Sequence, residues 1–392
     1  MSGPDTVPAA PWSDWTAQRP ALAGTHLDTA AAGRMSREVQ RAITDDLHRE
    51  SETGACVADA DAAATIATGR AHLGALLGVP AEGVAFVESA TAALHSLLTA
   101  WPLPALATVA VAPSEWGPIL RVFGLHGVEV RQLPVDDVGQ LDIVALRGEL
   151  ATRPPSVVHV SHVAAHRGLI QPMEEIVEAC RAASVPVWVD AGQALGHVEA
   201  ASGPDAVIAT SRKWLCGPRG VGVLGVAEQW WPRLRVKPLV LAPDRPVVGR
   251  LESDEANVAG RVGLCTAVQE HLARGAADVQ HRLAEIGSRA RAVLAELPGW
   301  RVVPRQSGAI VALQPSAGQD VFAELQRLLR DHHILVTASQ PARAALEMTS
   351  PWLRVSPHVD LAEEQLDDLA RALAGGGGAR ATGATQSACA PL

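Results

Sequence analysis

The stretch Asp205–Gly225, DAVIATSRKWLCGPRGVGVLG, sets an apolar, β-branched run against a lysine, Lys213, and then turns into a glycine-rich segment. A run such as DAVIAT reads as a buried strand. It closes a series. GVAFV (83–87), ATVAVA (107–112), VEVRQL (128–133), SVVHVS (156–161) and VPVWVD (185–190) share its character, and longer alanine- and leucine-rich stretches of helical pattern lie between them. Strands alternating with helices predict an α/β fold, with helices packed on a mostly parallel sheet. Such sheets hold ligands at the carboxyl ends of their strands, so the residues just after each run are where chemistry is expected.

After GVAFV comes ESATAALHSLL, where Ser89 and Thr91 suit the start of a helix. The free amides of that first turn suit a phosphate, and the same residues also suit an ordinary cap. VPVWV ends on Asp190 in DAGQALGH. A carboxylate there is costly to bury without a cationic partner, although it too can cap a helix. Lys213 follows in the next strand end, so an acid and an amine would face one crevice. That combination suits pyridoxal 5'-phosphate, which needs a lysine to hold it covalently and a carboxylate to keep its pyridine nitrogen protonated. The segment GPRGVGVLG is a weak nucleotide fingerprint, because it follows the lysine and does not open a helix directly after its strand.

Composition narrows the partners. With 392 residues, one large domain and a smaller one are expected. Hydrophobic residues at 48% and charged residues at 19% suit a soluble globular protein. A net charge of -9 with no lysine- or arginine-rich run argues against nucleic acid or an anionic membrane as partner. No apolar run reaches the roughly 18 residues of a membrane span. The cysteines Cys56, Cys180, Cys216, Cys265 and Cys389 show no metal-site spacing, and scattered reduced thiols with no apolar leader in residues 1–20 predict a cytoplasmic protein. His332-His333 has no companion ligands and predicts a solvated strand entrance, so no metal is expected.

Seven segments together carry a family resemblance: HLDTAAAG (26–33), ESATAAL (88–94), SEWGP (114–118), SHVAAHRGLIQPMEEI (161–176), VDAGQALGH (189–197), SRKWLCGPRGVGVL (211–224) and LRVSPHV (353–359). In this order they resemble the class V aminotransferase and cysteine desulfurase family, which are fold-type I pyridoxal phosphate enzymes and usually homodimers. The resemblance implies a large domain with a mostly parallel seven-stranded sheet at 22–264 and a smaller C-terminal α+β domain at 265–374. An N-terminal extension (1–21) and a flexible tail (375–392) would flank them.

By the same resemblance Lys213 is the catalytic lysine that binds the cofactor, and Asp190 is the partner of its pyridine nitrogen. Gln193 would bond its phenolic oxygen, and Trp116 would stack on the ring. Ala90, Thr91, Ser211 and Arg212 would hold the phosphate, and Arg354 would grip the substrate's α-carboxylate. Arg34, Arg167, Arg219 and Arg261 are expected near the crevice mouth as structural or phosphate-side charges. Ala164-Ala165 stands where relatives often carry serine or asparagine.

Desulfurases need a nucleophilic cysteine on a loop shortly before that arginine. Here the loop reads DHHILVTASQPARAALEMTSPW, with Ser339-Gln340-Pro341 where the cysteine would fall. A hydroxyl is a poor substitute for a thiolate in attacking sulfur. The wording of SRKWLCGPRGVGVL, HRGLIQP and EANVAGRVG is similar to the carbon–sulfur lyase branch of ergothioneine biosynthesis. This implies a lyase for a small-molecule cysteine sulfoxide conjugate, hercynylcysteine sulfoxide. An aminotransferase or epimerase would share every cofactor residue. The chain has no tyrosine, so aromatic recognition of a trimethylammonium group falls to tryptophan or phenylalanine.

Overall fold

In the computed structural model, which describes residues 12–236, 242–303, 308–316 and 318–375, the six expected strands join a seventh in one sheet. In chain order they are β1 (Val84–Val87), β2 (Thr108–Val111), β3 (Glu129–Gln132), β4 (Val157–Ser161), β5 (Val187–Asp190), β6 (Ala206–Thr210) and β7 (Gly222–Val226). Across the sheet the order is β1-β7-β6-β5-β4-β2-β3. β7 is antiparallel to both neighbours, and the other pairings are parallel.

The inner strands are apolar on both faces because helices cover both. On one face Val109, Val157, Trp188 and Ile208 pack with Leu94 and Leu97 of helix Ala90–Ala100 and with Ile119 and Phe123 of helix Gly117–Leu125. On the other, Val158, Val160, Val187, Val189 and Val207 meet Leu73 and Leu77 of helix Ala55–Leu77 and Ile176 and Val177 of helix Met173–Ala182. The seventh strand lies in what reads locally as a glycine-rich loop. Its Gly222 has a packing reason: a side-chain carbon there would sit 2.6 Å from the carbonyl carbon of Ser89, so glycine lets the turn after β1 lie against the strand.

A second sheet is antiparallel and smaller. It comprises β8 (Trp300–Val302), β9 (Val311–Pro315), β10 (Thr337–Ser339) and β11 (Trp352–Val355), in the order β10-β11-β9-β8. Leu294, Leu366 and Leu369 cover Val311, Leu313, Leu353 and Val355 on its inner face. Helix Val258–Arg274 runs through residue 264 and packs along Arg37–Thr53 and Ala55–Leu77. We therefore propose that the division between the two parts falls after this helix, with the sheet of β8 to β11 on its far side.

Residues 26–33 lace the two parts together. Thr25–His26 pairs in parallel with Ile334–Leu335, the Thr29 amide donates to the Ser356 carbonyl at 2.9 Å, and the Gly33 amide donates to the Arg212 carbonyl at 2.7 Å. Of the expected N-terminal extension, residues 12–21 pack on the body: Trp15 is buried, and the Arg19 guanidinium lies 3.7 Å over its ring. Of the expected tail, only Gly375 is among the described residues. Among the described residues no helix is long and apolar enough to cross a membrane.

Candidate active site

The ends of β5 and β6 bring Asp190 and Lys213 together over Gly192, and Arg354 of the small sheet and Arg343 of the loop before it lie within electrostatic reach of Lys213. Lys213 sits in the tight turn after β6. This turn is held by the Cys216 amide on the Lys213 carbonyl at 3.0 Å and by the Gly217 amide on the Ser211 carbonyl at 3.0 Å. Gly33 lies against it so closely that a side-chain carbon there would collide with the Lys213 carbonyl oxygen. Beneath the turn, the fully buried Trp214 stacks on His197 at 3.9 Å and donates its indole N–H to Gln193 Oε1 at 2.9 Å.

Asp190 ends β5 and is 8% exposed, with Oδ1 accepting the Gly192 amide at 2.7 Å. A side-chain carbon on Gly192 would lie 2.8 Å from Asp190 Oδ1 and 3.4 Å from Lys213 Nζ. Acid and amine thus converge on a bare glycine without forming an ion pair. Burial pushes the Asp190 carboxyl above the usual carboxylate range; Lys213 and His159 oppose this and Glu115 adds to it. Burial likewise pulls the Lys213 amine down to about 7, with Asp190 opposing and Arg212, Arg354 and Arg343 adding. Charging both groups while they are held apart is costly unless a third group completes them.

The remaining expected contacts differ in readiness. Ser89 Oγ accepts the Ala92 amide at 3.0 Å and its carbonyl accepts the Ala93 amide, which leaves the Ala90 and Thr91 amides at the open end of the helix. That terminus suits an anion. Arg212 is part-buried and bonds the Ala31 carbonyl. Ser211 is turned inward: its hydroxyl donates to the Pro218 carbonyl and its amide to the Val221 carbonyl, so it has no donor left for a phosphate in this arrangement. Gln193 donates to the Ala30 carbonyl at 2.9 Å and accepts from Trp214, leaving one amide hydrogen. Trp116 is part-buried at the start of helix Gly117–Leu125.

Arg354 is completely buried on β11. It donates to Asp28 Oδ1 at 3.1 Å and to the Ala165 carbonyl at 2.9 Å, and its Nε has no partner among the described residues. The pairing is buried and not a surface salt bridge. Arg34 pairs with Asp360 at 2.5 Å, Arg167 with Glu347 at 2.8 Å and Arg261 with Glu252 at 3.1 Å, while Arg219 is exposed. Among the described residues no cluster of histidine, cysteine, aspartate or glutamate is built for a metal, and His332 instead meets Arg327 at 2.9 Å.

Sequence reasoning missed Asp28, Glu115, His159 and Arg343. Arg343 lies in the short turn Pro341–Ala344 after β10, which abuts Gly117: a side-chain carbon on that glycine would collide with the Ala342 carbonyl oxygen. Its side chain is part-buried and makes no ion pair among the described residues; burial first, then Arg354 and Arg212, lower its pKa to about 10, with Asp28 opposing. The signal was available, since an arginine lies two residues after Ser339-Gln340-Pro341, the loop position that lacks a cysteine.

The aminotransferase class-V family profile matches residues 25–369. The chain is 43% identical over 365 residues to a probable hercynylcysteine sulfoxide lyase of Mycobacterium tuberculosis, covering 92% of each chain. It is 30% identical to isopenicillin N epimerase of Amycolatopsis lactamdurans, over 78% of this chain and 83% of that one. Among solved structures it is similar to the cysteine desulfurase CsdA of Escherichia coli (TM-score 0.81, 21% identity, 93% of this chain and 97% of that one). It is equally similar to a lysine-to-alanine mutant of C-DES that has glycine covalently linked to its pyridoxal phosphate (TM-score 0.81, 20% identity, 91% and 98%).

The fold is that of a fold-type I pyridoxal-phosphate-dependent enzyme. The chain belongs to the aminotransferase class-V family, and pyridoxal 5'-phosphate is its cofactor.

Proposed function

We propose that this pyridoxal-phosphate-dependent lyase cleaves the Cβ–S bond of a cysteine S-conjugate sulfoxide, with hercynylcysteine sulfoxide as substrate. The reading is carried by one juxtaposition: the near-neutral Lys213 amine faces Asp190 in a crevice whose loop offers Ser339 and Arg343 but no thiol. The 43% identity to a probable hercynylcysteine sulfoxide lyase supports the same substrate. Cys216 does not replace the missing nucleophile, because it is buried against Gly33 and His358 and burial raises its thiol to about 11.

Lys213 would hold the cofactor, Asp190 its ring nitrogen and Gln193 its phenolic oxygen. Trp116 would cover the ring face, and Ala90, Thr91 and Arg212 would take the phosphate, with Ser211 fixing the turn between them. When bound, pyridoxal phosphate supplies the electron sink that makes the substrate's Cα proton acidic. Arg354, anchored by Asp28 and with its Nε unpaired among the described residues, would hold the substrate carboxylate. Lys213, once its amine is free, would have a pKa suited to removing the substrate's Cα proton near neutral pH. The C–H electron pair becomes the Cα–Cβ double bond, and the C–S pair leaves with the sulfur fragment, which takes up a proton as a sulfenic acid. The remaining enamine hydrolyses to pyruvate and ammonia. We further propose that the enzyme works as a cytoplasmic homodimer.

The test is to incubate the holoenzyme with hercynylcysteine sulfoxide and other cysteine conjugates, with no amino acceptor present. One pyruvate and one ammonia per sulfur fragment are expected. Sulfide release from free cysteine under reductant, or a requirement for an added keto acid, would contradict the reading. Exchange of the Cα hydrogen with solvent and no pyruvate would favour an epimerase.

A further inference from the structure

A buried polar layer lies behind Asp190, and the elimination does not use it directly. Glu115 is completely buried, and each of its oxygens accepts twice. Oε1 takes the Trp116 amide at 2.7 Å and the Ser161 hydroxyl at 2.5 Å. Oε2 takes the Ser161 amide at 3.2 Å and the Nδ1–H of His159 at 3.0 Å. His159 is also completely buried, with the Phe123 ring edge-on at 5.3 Å, and its Nε2 has no partner among the described residues.

Register brings this pair to Asp190. On β4 and β5, His159 stands opposite Trp188 and Ser161 opposite Asp190. Side chains two apart share a sheet face, so His159 is the diagonal cross-strand neighbour of Asp190 on the same face. Burial would strip His159 of its proton, but the carboxylates of Glu115 and Asp190 outweigh it and hold the imidazole above its usual range. Burial pushes Glu115 up as well, yet the charge of His159 and the hydrogen bonds from His159, Ser161 and the Trp116 amide hold it below the carboxylate range. An ionisable residue in the middle of a buried strand is stable only with such partners.

We propose that Glu115 and His159 form a positioning pair that keeps Asp190 ionised for the cofactor's ring nitrogen, His159 acting as an imidazolium whose Nδ1–H is fixed by Glu115 and whose Nε2–H serves the Asp190 side directly or through a water. Without that positive charge, Glu115 and Asp190 would be two carboxylates in one apolar layer, and one of them would take a proton. The groups facing His159 are Glu115, Asp190, Ser161 and Phe123; those facing Asp190 are Lys213, Glu115, His159 and the Gly192 amide. This role depends on the cofactor and not on which sulfur substrate is cleaved.

The test compares holoenzymes carrying His159→Gln, which keeps a donor for Glu115 but cannot be charged, and Phe123→Leu, which disturbs packing against the same ring without altering charge. Cofactor absorbance is followed against pH, along with cofactor release on dialysis and Cα–H exchange with solvent deuterium using alanine. His159→Gln is expected to move the acid limb of the absorbance and exchange profiles up by about one pH unit. It is also expected to release cofactor several-fold faster, and Phe123→Leu is expected to leave the acid limb in place. A wild-type acid limb in His159→Gln, or an equal shift in Phe123→Leu, would overturn the proposal. Nitrogen-15 histidine NMR of the wild-type holoenzyme reads the same point without a substitution. Burial lowers His162, His166, His197, His271 and His358, so one buried ring, that of His159, is expected to stay doubly protonated at pH 7.5. A spectrum in which every buried ring is neutral would overturn the proposal.

Discussion

Two acid–base pairs, one wholly buried and one with a part-buried lysine, are built in opposite ways. Asp28 and Arg354 are in contact at 3.1 Å, and the arginine is wholly enclosed, so that charge is fixed in place. Asp190 and Lys213 converge on Gly192 without pairing, and burial drives both toward their neutral forms. In the proposed mechanism the closed pair would hold a substrate charge steady, whereas the open pair leaves room for a group to be inserted and for a proton to move. The contrast follows from chemistry as well as distance, since arginine keeps its proton under burial and lysine gives it up.

Breaking the open pair should have the largest effect. On the proposed mechanism Lys213→Ala removes both the covalent anchor and the base, and pyruvate release should fall by about 10⁴-fold, the upper end for loss of a general base. Asp190→Asn keeps the shape but not the charge, and a loss of about 10²–10³-fold is expected, as for one preorganised electrostatic group. Borohydride should still attach the cofactor to Lys213 in that variant. Asp28→Asn breaks the closed pair and leaves Arg354 buried without its counter-ion. Its cost should appear in stability as about 3–5 kcal/mol in a denaturant titration, with a raised KM for substrate.

Smaller effects sharpen the comparison. The folded-state pKa of Lys213 is about 7, below the ordinary 10.5, so between those values the unfolded apoenzyme binds the extra proton. Apoenzyme stability should therefore rise with pH across that window, and Lys213→Met should remove the rise, as urea midpoints at pH 7 and 9 would reveal. Arg343→Gln removes one of the like charges that lower Lys213. The window should then begin at a higher pH by less than about 0.5 unit, measured by the same titration.

Much of this was legible in the sequence because it depends on local pattern. The six β-branched runs announced six strands, and the acid and amine at two of their ends announced the open pair. The seventh strand was hidden because its glycines, Gly222 above all, answer to a neighbouring turn and not to strand propensity. The closed pair was hidden for a different reason: Asp28 and Arg354 are joined only when residues 26–33 lie between the two sheets. Glu115 and His159 meet only through the order of β2, β4 and β5. Their trace was an ionisable residue inside the apolar run SVVHVS, which implied a buried partner without naming it. The Ser211 hydroxyl, expected on a phosphate, is turned inward to the Pro218 carbonyl, and sequence does not report which way a hydroxyl turns.

The open pair works as described only if Lys213 is the covalent anchor. Borohydride reduction of the holoenzyme, followed by peptide mapping, measures this directly. A single pyridoxyl-modified peptide, with the label on Lys213 of SRKWLCGPR, is the predicted result. Label on another residue, or a reduced holoenzyme in which Lys213 is unmodified, would contradict it.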